Sequence, residues 1–498
     1  MRRLAGLARS GLAPAALGAL VAAGQAPLGA WWLALPALAL LTACVARVDD
    51  WRGRLWQGWC AGVGHFAASL FWIVEPFMVD AAHDGWMAPF ALVFMAGGMA
   101  LFWMLAAAAA GLGRTEAGRA AGFALGLAAT DLLRGYVLTG FPWALVGHVW
   151  IATPVAQAAA WVGPVGLSLL TVLLALGLAL ARPGRLAPAL AAVAVLAAVW
   201  AGGAWRLAQP EPPRNPSIRV RLVQPNATQA LKWQPGMWEE FIGRMMRADA
   251  APQPKPLNLI VWPETAIPYL LGDADGLIGE AVAESGGVPL ALGVQRGEGG
   301  RYYNSLAATD ADGRLVAIYD KHHLVPFGEY VPLGDLAMAF GIKAFAAQAG
   351  NGYSAGPGAA VLDLGRAGKV LPLICYEAVF PQDLRAAPER ADWILQVTND
   401  SWFGNLAGPW QHLAQARLRA IEQGLPLLRA ANTGVTAGFD AKGRPLGQIG
   451  LNREGWIDLD VPAALAPTPY ARWGDWPVAA ALALGLAAVG LGGRRRAG

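Results

Sequence analysis

Two different hydrophobic patterns divide the chain. Residues 10 to 206 are almost continuously apolar, and a further apolar segment lies near 474 to 492. Between them, residues 216 to 462 show short apolar runs separated by turn residues, which is typical of a globular domain large enough to bury its own core. A membrane-spanning helix needs about 20 consecutive apolar residues. The first pattern therefore predicts membrane spans, and the second predicts a folded domain outside the bilayer.

The apolar part of the chain contains eight candidate spans. They lie at about 10–25, 29–46, 55–77, 86–113, 118–136, 162–182, 186–206 and 474–492. This spacing predicts a transmembrane bundle over 1–210, a globular domain over 216–462 and a C-terminal transmembrane helix over 474–492. The basic start and small residues of the first candidate also fit a cleaved signal peptide, which remains an alternative for that segment.

The arginines between the spans predict an orientation. Arginines follow the second, fourth and sixth spans, whereas the loops after the first and third contain no Lys or Arg. Cationic loops stay in the cytoplasm. Both termini are therefore expected inside, and the globular domain is expected on the periplasmic side of a bacterial inner membrane.

Composition agrees with a membrane protein and narrows its partners. Of 498 residues, 14% are charged, whereas a soluble domain carries about 25%. The net charge of +4 comes largely from loop arginines, so nucleic acid is excluded as a partner. Three cysteines make no disulfide framework.

Short runs in the globular region predict strands and hairpins. The predicted strands are SIRVRLVQ, LNLIVWPE, VPLALGVQ, KVLPLICYE and ADWILQVTND. Two hairpins are expected, in YYNSLAATDADGRLVAIYDKHHL and in AGFDAKGRPLGQIG, and PWQHLAQARLRAIEQG is expected to be a helix that ends at Gly424. Strands interleaved with helices predict an α/β layered sandwich.

Three ionisable residues stand at predicted strand or hairpin ends. Glu264 ends LNLIVWPE, Lys321 follows AIYD, and Cys375 ends LPLIC. A thiol needs a base or a cation to become a nucleophile, and Glu264 and Lys321 supply these two functions. Taken singly, a buried Cys is usually a small apolar residue, a Glu is often a helix cap and a Lys is usually solvated. Only the joint placement of the three residues favours a catalytic role for them.

The loop after the fifth span is unusual. LLRGYVLTGFPWALVGHVW carries Arg134, Trp143, His148 and Trp150 on the expected outer side. Its tryptophans fit an interfacial aromatic belt, or the loop could form one wall of a lipid-facing site. Both interpretations remain open.

Several motifs together resemble a known family. VWPETAIP, YDKHHLVPFGEYVPL and LICYE, in this order, are similar to the nitrilase superfamily. The resemblance is closer to its membrane-integral branch, the apolipoprotein N-acyltransferases. It is carried by LLRGYVLTGFPW, LKW at 231–233, NDSWFG at 399–404, GPWQH at 408–412, NTGVTA at 432–437 and TPYAR at 468–472.

The resemblance implies a fold and a set of site residues. The fold would be a bundle of about eight transmembrane helices carrying an αββα sandwich. Cys375 would be the nucleophile, Glu264 the general base and Lys321 the cation that stabilises an oxyanion. The supporting positions would be Glu329, Trp233, Asn304, Tyr376 and Glu377, and Trp143 belongs to one of the matching motifs. For three of these an ordinary role stays open: core packing for Trp233, a turn for Asn304 and a strand-end ion pair for Glu377. His322 and His323 are interpreted as structural.

The implied reaction is acyl transfer in two steps. A phospholipid would donate a fatty acyl chain to Cys375, and the amino group of a diacylglyceryl-modified apolipoprotein would accept it. The segment at 336–350 could act as a lid that excludes water from the thioester. No cofactor or metal is expected, and a monomer would suffice.

Two other functions remain as alternatives. One is a membrane-tethered amidase of the nitrilase type acting on a small molecule. The other is a transporter whose outer domain only binds ligand, although transporter spans usually show ionisable residues or repeated halves.

Overall fold

A computed structural model describes residues 11–232, 234, 236–332 and 352–494. Residues 11–208 are mainly helical. Helices α1 to α7 run, in chain order, over Leu12–Ala22, Trp31–Ala46, Trp51–Ser69, Ala88–Ala109, Glu116–Arg134, Ala159–Ala179 and Ala187–Ala208. Side-chain caps fix two of the helix starts. The Asp50 carboxylate accepts the Gly53 N–H at 2.8 Å at the start of α3, and the Thr115 hydroxyl accepts the Gly118 N–H at 3.0 Å at the start of α5.

Three helical segments in the described part of the chain are long and apolar enough to cross a membrane. They are Ala81–Leu112, Pro154–Ala179 and Ala187–Ala208, and the bent pair Trp51–Ser69 and Phe71–Met78 would make a fourth. The apolar helices Leu12–Ala22, Trp31–Ala46 and Trp476–Gly492 are shorter. The helices are compatible with a membrane domain, but the predicted number of eight spans is not confirmed.

The described residues beyond 208 contain both strands and helices. Strands β1 to β12 run over Ile218–Gln224, Leu259–Trp262, Leu290–Glu298, Arg301–Thr309, Leu315–Asp320, Leu362–Asp363, Lys369–Ile374, Trp393–Thr398, Leu427–Ala431, Thr436–Phe439, Pro445–Ile449 and Gly455–Val461. This part also contains helices α8 (Met237–Asp249), α9 (Asp275–Glu284), α10 (Gly408–Gln423) and α11 (Trp476–Arg494). Three short helices, left without labels, lie at Ala81–Asp84, Pro381–Arg385 and Pro469–Trp473.

The twelve strands form two sheets of six. The order is β12-β1-β2-β3-β4-β5 in the first sheet and β11-β10-β9-β8-β7-β6 in the second. Strands β1, β2 and β3 are parallel neighbours, as are β7, β8 and β9. Both predicted hairpins, β4–β5 and β10–β11, are confirmed. Strands β6, β9 and β12 and helices α8 and α9 were not predicted.

Alternation along the strands sends side chains to two separate cores. In β2, for example, Leu259 and Val261 face the core between the two sheets, whereas Ile260 and Trp262 face the core shared with α8 and α9. The two facing sheets, with helices on the outer face of the first, confirm the layered-sandwich prediction.

The described residues group into two compact units. The helical unit comprises those within Met1–Pro210, Leu406–Leu418 and Thr468–Gly498. The two-sheet unit comprises those within Glu211–Asn405 and Arg419–Pro467.

A buried acid in α8 makes the stability of the two-sheet unit depend on pH. Asp249 is 1% exposed and accepts a hydrogen bond of 3.1 Å from the Trp262 indole. Burial raises its pKa to about 7, against the opposing effects of that hydrogen bond and of the Arg221 charge. The folded state therefore binds a proton that the unfolded state has already released, and the stability present near pH 4 is lost as pH rises towards 7.

We expect Asp249→Asn to remove this pH dependence. A neutral amide keeps an acceptor for the Trp262 indole but cannot ionise, so the variant should gain stability relative to wild type by at most about 1.4 kcal/mol per pH unit between pH 4 and 7. Thermal unfolding of both proteins across this range measures the difference. The exposed Asp273→Asn is the matched control, and equal pH profiles for wild type and Asp249→Asn would contradict the prediction.

Candidate active site

Glu264 lies two residues beyond the end of β2, which stops at Trp262 rather than at the predicted Glu. Its side chain is almost fully buried, and both carboxylate oxygens accept hydrogen bonds. Asn304 Nδ2 donates to Oε1 at 2.7 Å, and the Asn399 backbone N–H donates to Oε2 at 2.7 Å. The carboxylate is thereby held in one orientation.

A glycine in β3 allows the Glu264 backbone to take this position. The Ala266 N–H donates to Gly293 O at 2.7 Å. A Cβ atom on Gly293 would lie 2.4 Å from Glu264 Cα and 2.5 Å from Pro263 O. Both neighbours are backbone atoms, so only a glycine leaves room for the chain that carries Glu264.

Lys321 immediately follows β5, as predicted, and is buried between two carboxylates. Its Nζ lies 2.8 Å from Glu329 Oε2 and 3.8 Å from Glu264 Oε1. Burial alone would lower the pKa of this ammonium, but the charges of Glu329, Cys375 and Glu264 outweigh burial and raise the pKa. These charges therefore favour the protonated form of Lys321, which lies beside the carboxylates of Glu329 and Glu264.

Asn304 connects the two carboxylates directly. Its Nδ2 donates to Glu264 Oε1 at 2.7 Å and to Glu329 Oε1 at 3.0 Å. The Val325 N–H donates to the other Glu329 oxygen at 2.9 Å. Asn304 sits in the middle of β4 rather than in a turn, so its side chain serves the cluster, and the turn interpretation is wrong.

Cys375 occupies an unusual backbone position. Strand β7 ends at Ile374, three residues before the end of the predicted strand KVLPLICYE, and Cys375 opens a short 3-10 helix over Cys375–Val379. Its φ is 52°, in the left-handed region that residues with a Cβ rarely adopt. A sharp turn of this kind directly after a strand lifts the side chain out of the sheet, and such strain tends to be retained where a side chain must be aimed.

The surroundings of Cys375 keep its sulfur protonated at rest. Burial, followed by the charge of Glu264, raises the thiol pKa well above its usual range, while Lys321 and a hydrogen bond with Thr398 act in the opposite direction. A reactive thiolate therefore requires proton transfer to a neighbouring base.

Glu377 links the backbones next to Cys375 and Lys321. One carboxylate oxygen accepts the Ile374 N–H at 2.7 Å, and the other accepts the His322 N–H at 2.9 Å. These are the residues directly before Cys375 and directly after Lys321. One fully buried carboxylate thus holds the two segments in register.

Two further groups complete the environment of Glu377. The Tyr319 hydroxyl donates to Oε1 at 2.8 Å, and His322 Nδ1 lies 2.8 Å from the same oxygen. Burial would raise the pKa of Glu377, but the hydrogen bond and charge of His322 lead the effects that lower it. Glu377 therefore has a histidine partner at this strand end, the position where an ion-pair partner was one interpretation.

His323 and Tyr376 pack on the other side of this turn. His323 Nδ1 lies 2.8 Å from Asp383 Oδ2, and its ring stacks on Phe380 at 3.5 Å between centroids. The Tyr376 ring meets Phe380 edge-on at 4.8 Å. These contacts support the structural interpretation of the two histidines.

The sequence analysis missed a second buried lysine. Lys232 is 4% exposed, and its Nζ lies 3.5 Å from the Glu264 carbonyl oxygen. Burial lowers its pKa to about 8, although the Glu264 charge opposes this. Lys232 lies in the LKW motif, which was noted only as part of the resemblance.

Two asparagines from separate motifs hold the loop that carries Lys232. Asn432 Nδ2 donates to Ala227 O at 2.6 Å and to Asn399 Oδ1 at 2.9 Å. Asn399 Nδ2 donates to Gln229 Oε1 at 3.0 Å. The NDSWFG and NTGVTA motifs therefore supply a network of side-chain amides beneath Glu264.

Trp143 lies in the helical unit and is 1% exposed. Its indole N–H donates to Gln411 Oε1 at 2.7 Å, and the Trp72 indole donates to the same oxygen at 3.1 Å. Gln411 Nε2 donates in turn to Ser69 O at 3.1 Å. Trp143 and Trp150 are both buried within this unit, which argues against an interfacial belt for these two rings.

A buried ion pair shapes the loop that carries Trp143. Arg134 and Asp131 lie 3.0 Å apart, with 1% and 2% of their side chains exposed. Arg134 donates to Phe141 O at 2.7 Å and to Trp143 O at 2.5 Å. Asp131 Oδ2 accepts the Val146 N–H at 2.9 Å. The pair thus satisfies the backbone of an irregular segment among apolar helices.

We expect Arg134→Met to destabilise the helical unit strongly. It would leave the Asp131 carboxylate without its cationic partner and two loop carbonyls without the guanidinium donor, and breaking a buried ion pair costs about 3 to 5 kcal/mol. Thermal unfolding in detergent should show a clear loss, whereas the exposed Arg185→Met should match wild type. Equal unfolding temperatures for all three proteins would contradict this assignment.

Some predicted features fall outside the described residues. Trp233 and the segment 336–350 are among these. Within the described part of the chain, no group of three or more His, Cys, Asp or Glu side chains could hold a metal ion.

Comparison with known proteins identifies two matching families. Residues 219–470 match the carbon-nitrogen hydrolase family, and residues 17–177 match the apolipoprotein N-acyltransferase N-terminal domain. A solved amidase of the nitrilase superfamily from Nesterenkonia AN1 aligns over 50% of this chain and 92% of its own, at 19% identity and a TM-score of 0.37.

Curated relatives match most of the chain. A protein named apolipoprotein N-acyltransferase from Caulobacter vibrioides is 42% identical over 85% of this chain and 83% of its own. One of the same name from Rhodopseudomonas palustris is 38% identical over 86% of this chain and 84% of its own. Identity at this level over more than four fifths of both chains is decisive: the chain belongs to the apolipoprotein N-acyltransferase family.

Proposed function

We propose that this protein transfers a fatty acyl chain from a phospholipid to the N-terminal amino group of a diacylglyceryl-modified apolipoprotein. The observation that carries the proposal is the match to the acyltransferase relatives across both parts of the chain. A soluble amidase would have no need of the apolar helices, whereas a lipid donor and a lipid-anchored acceptor both require a membrane-bound enzyme.

The buried cluster supports a thioester mechanism in which Cys375, Glu264 and Lys321 are the catalytic residues. In the first half-reaction, Glu264 takes the Sγ proton and the sulfur forms a bond to the ester carbonyl carbon of the phospholipid. The carbonyl oxygen becomes an oxyanion beside the Lys321 ammonium. Its collapse breaks the ester C–O bond, and Glu264 returns the proton to the departing oxygen. The products are an acyl-enzyme and a lysophospholipid.

The second half-reaction uses the same groups in reverse order. The acceptor's amino nitrogen attacks the thioester carbonyl carbon, and its proton passes to Glu264. Lys321 again faces the oxyanion, and collapse breaks the C–S bond. The sulfur leaves as a thiolate and recovers its proton from Glu264, so an amide is formed and the enzyme is restored.

The supporting residues act through these three. Glu329 and Asn304 keep Lys321 and Glu264 in place through the contacts described above. Glu377 holds the turn that aims Cys375, and Tyr376 packs within that turn. For Trp233 we propose a contact with substrate, and for Trp143 a role in fixing the loop after the fifth span. The segment 336–350 is proposed as a lid over the thioester.

We further propose how the chain is placed in the bacterial inner membrane. The eight apolar segments support eight spans, and the arginine distribution supports cytoplasmic termini and a periplasmic two-sheet unit. The domain limits proposed are 1–210, 216–462 and 474–492. Such a chain would work as a monomer and without a cofactor.

Acylation of a synthetic acceptor tests the proposed function. Purified protein is incubated with a phospholipid carrying an isotope-labelled acyl chain and with a diacylglyceryl-cysteinyl peptide. We expect labelled N-acyl peptide with wild type and none with Cys375→Ala. If the peptide stays unmodified while wild type hydrolyses small amides, the amidase alternative replaces this proposal.

A further inference from the structure

The C-terminal end of β8 lies directly beside Cys375. Strands β7 and β8 are parallel, and Ile374 pairs with Val397 in their register. The residues that follow this pair are Cys375, directly after β7, and Thr398, the last residue of β8. Thr398 is fully buried, and its hydroxyl is a hydrogen-bond partner of the Cys375 side chain. A polar group of the neighbouring strand thus touches the sulfur that the proposed mechanism uses.

The same hydroxyl has a second partner behind it. Thr398 Oγ1 donates to Asp400 Oδ1 at 3.0 Å. Asp400 is 1% exposed, and its other carboxylate oxygen pairs with the Arg429 guanidinium from β9. A Cβ atom on Gly434 would lie 2.3 Å from Asp400 Oδ2, so the Gly434 backbone packs closely against the Asp400 carboxylate. The carboxylate is therefore fixed in position and balanced by a cation.

A hydroxyl carries one hydrogen, and here two acceptors compete for it. While Cys375 is a thiol, the Asp400 carboxylate is the stronger acceptor. Once the proton has moved to Glu264, the sulfur is an anion and competes for the same hydrogen. Asp400 keeps its Arg429 partner in both cases, whereas the thiolate would otherwise have Lys321 as its main stabilising neighbour.

We propose that Thr398 is a further catalytic residue, whose hydroxyl turns from Asp400 to Cys375 Sγ as the thiolate forms. The hydrogen bond favours the charged form of the sulfur and so assists each proton transfer between Cys375 and Glu264. No covalent bond to Thr398 is made or broken. Asp400 and Arg429 act as positioning residues that hold the hydroxyl beside the sulfur. The inference rests on the proposed role of Cys375 as nucleophile.

Two variants separate the hydroxyl from the shape of the side chain. Thr398→Val replaces the hydroxyl by a methyl group of nearly equal size, and Thr398→Ser keeps the hydroxyl. The measurement is the rate at which iodoacetamide alkylates Cys375, followed from pH 6 to 10 by mass spectrometry of the peptide that contains it. Because alkylation needs neither lipid nor acceptor, it reports on the thiol even if the proposed acyl transfer is wrong.

We expect Thr398→Val to shift the pH dependence of alkylation upwards by about one unit, since a hydrogen bond donated to an anion is strong. This corresponds to a rate about tenfold lower at pH 8. Thr398→Ser should alkylate within about twofold of wild type. Equal rates for Thr398→Val and wild type, at equal thermal stability, would overturn the inference. So would a serine variant as slow as the valine variant, because the hydroxyl would then be irrelevant.

Discussion

Replacing Glu264 by Gln is expected to lower the rate of Cys375 acylation by about 10² to 10⁴-fold. The thiol pKa is raised by burial and by neighbouring charge, so little thiolate forms without a base in contact. An amide cannot accept the Sγ proton. It also cannot accept both N–H groups that now bind the carboxylate, those of Asn304 and Asn399.

The time course of acyl-enzyme formation from phospholipid measures this effect. The residual rate of Glu264→Gln should rise with pH, because the reaction then depends on thiolate formed by loss of a proton to solvent. Glu284→Gln changes an exposed carboxylate in the same unit and should behave as wild type. An acylation rate for Glu264→Gln close to that of wild type would remove Glu264 from the proposed mechanism.

Gly293→Ala is expected to lower acylation at least about 10²-fold although position 293 contacts no substrate in the proposed mechanism. The added Cβ would lie within 2.4 Å of Glu264 Cα, and backbone on both sides offers no flexible atom that could yield. The segment beyond β2 must therefore move, and a displacement of about 1 Å at a reacting group can cost about 10²-fold.

The same strand provides a matched control. Gly297 lies four residues further along β3. A Cβ there would meet only side-chain atoms, the nearest at 3.5 Å from Leu270, which is ordinary van der Waals contact. We therefore expect Gly297→Ala to acylate normally. If both alanine variants are equally active, the close approach at Gly293 does not position Glu264.

The sequence allowed Glu264, Lys321 and Cys375 to be predicted because their placement depends on local pattern. Each follows a short apolar run, and working groups of layered α/β proteins tend to lie just beyond strand ends. Here β2 and β5 of the first sheet and β7 of the second supply these ends. The exact strand ends were less predictable. The left-handed backbone of Cys375 has no signal in residue type, since cysteine has no preference for φ near 52°, and it is imposed by the contacts around the turn.

Other parts of the site depend on contacts between distant segments. Asn399 reaches Glu264 across 135 positions of the chain, and Asn432 reaches Ala227 across 205. No periodicity or spacing reports such pairs. The burial of Lys232 has the same origin, because lysine is usually solvated and only the folded loop encloses it. Lys232, Asn399 and Asn432 lie in motifs that carry the family resemblance. That resemblance was the one feature of the sequence that pointed to a role for them.

Hydropathy predicted the helices of the helical unit less well than the short apolar runs predicted the strands. It identified apolar segments, but several form helices shorter than a membrane span, such as Leu12–Ala22. The ion pair of Asp131 and Arg134 could not be predicted from hydropathy for a similar reason. Both lie in a segment that counts as apolar on average, and their partners are backbone groups of a loop that hydropathy does not describe.

The central claim is that Cys375 carries the acyl chain as a thioester. Intact mass spectrometry of wild type and Cys375→Ala, after incubation with phospholipid and no acceptor, tests it most directly. The account predicts a mass increase of one fatty acyl group on wild type alone, which disappears when a diacylglyceryl-cysteinyl peptide is added. No adduct on folded wild-type protein, or an equal adduct on Cys375→Ala, would contradict it.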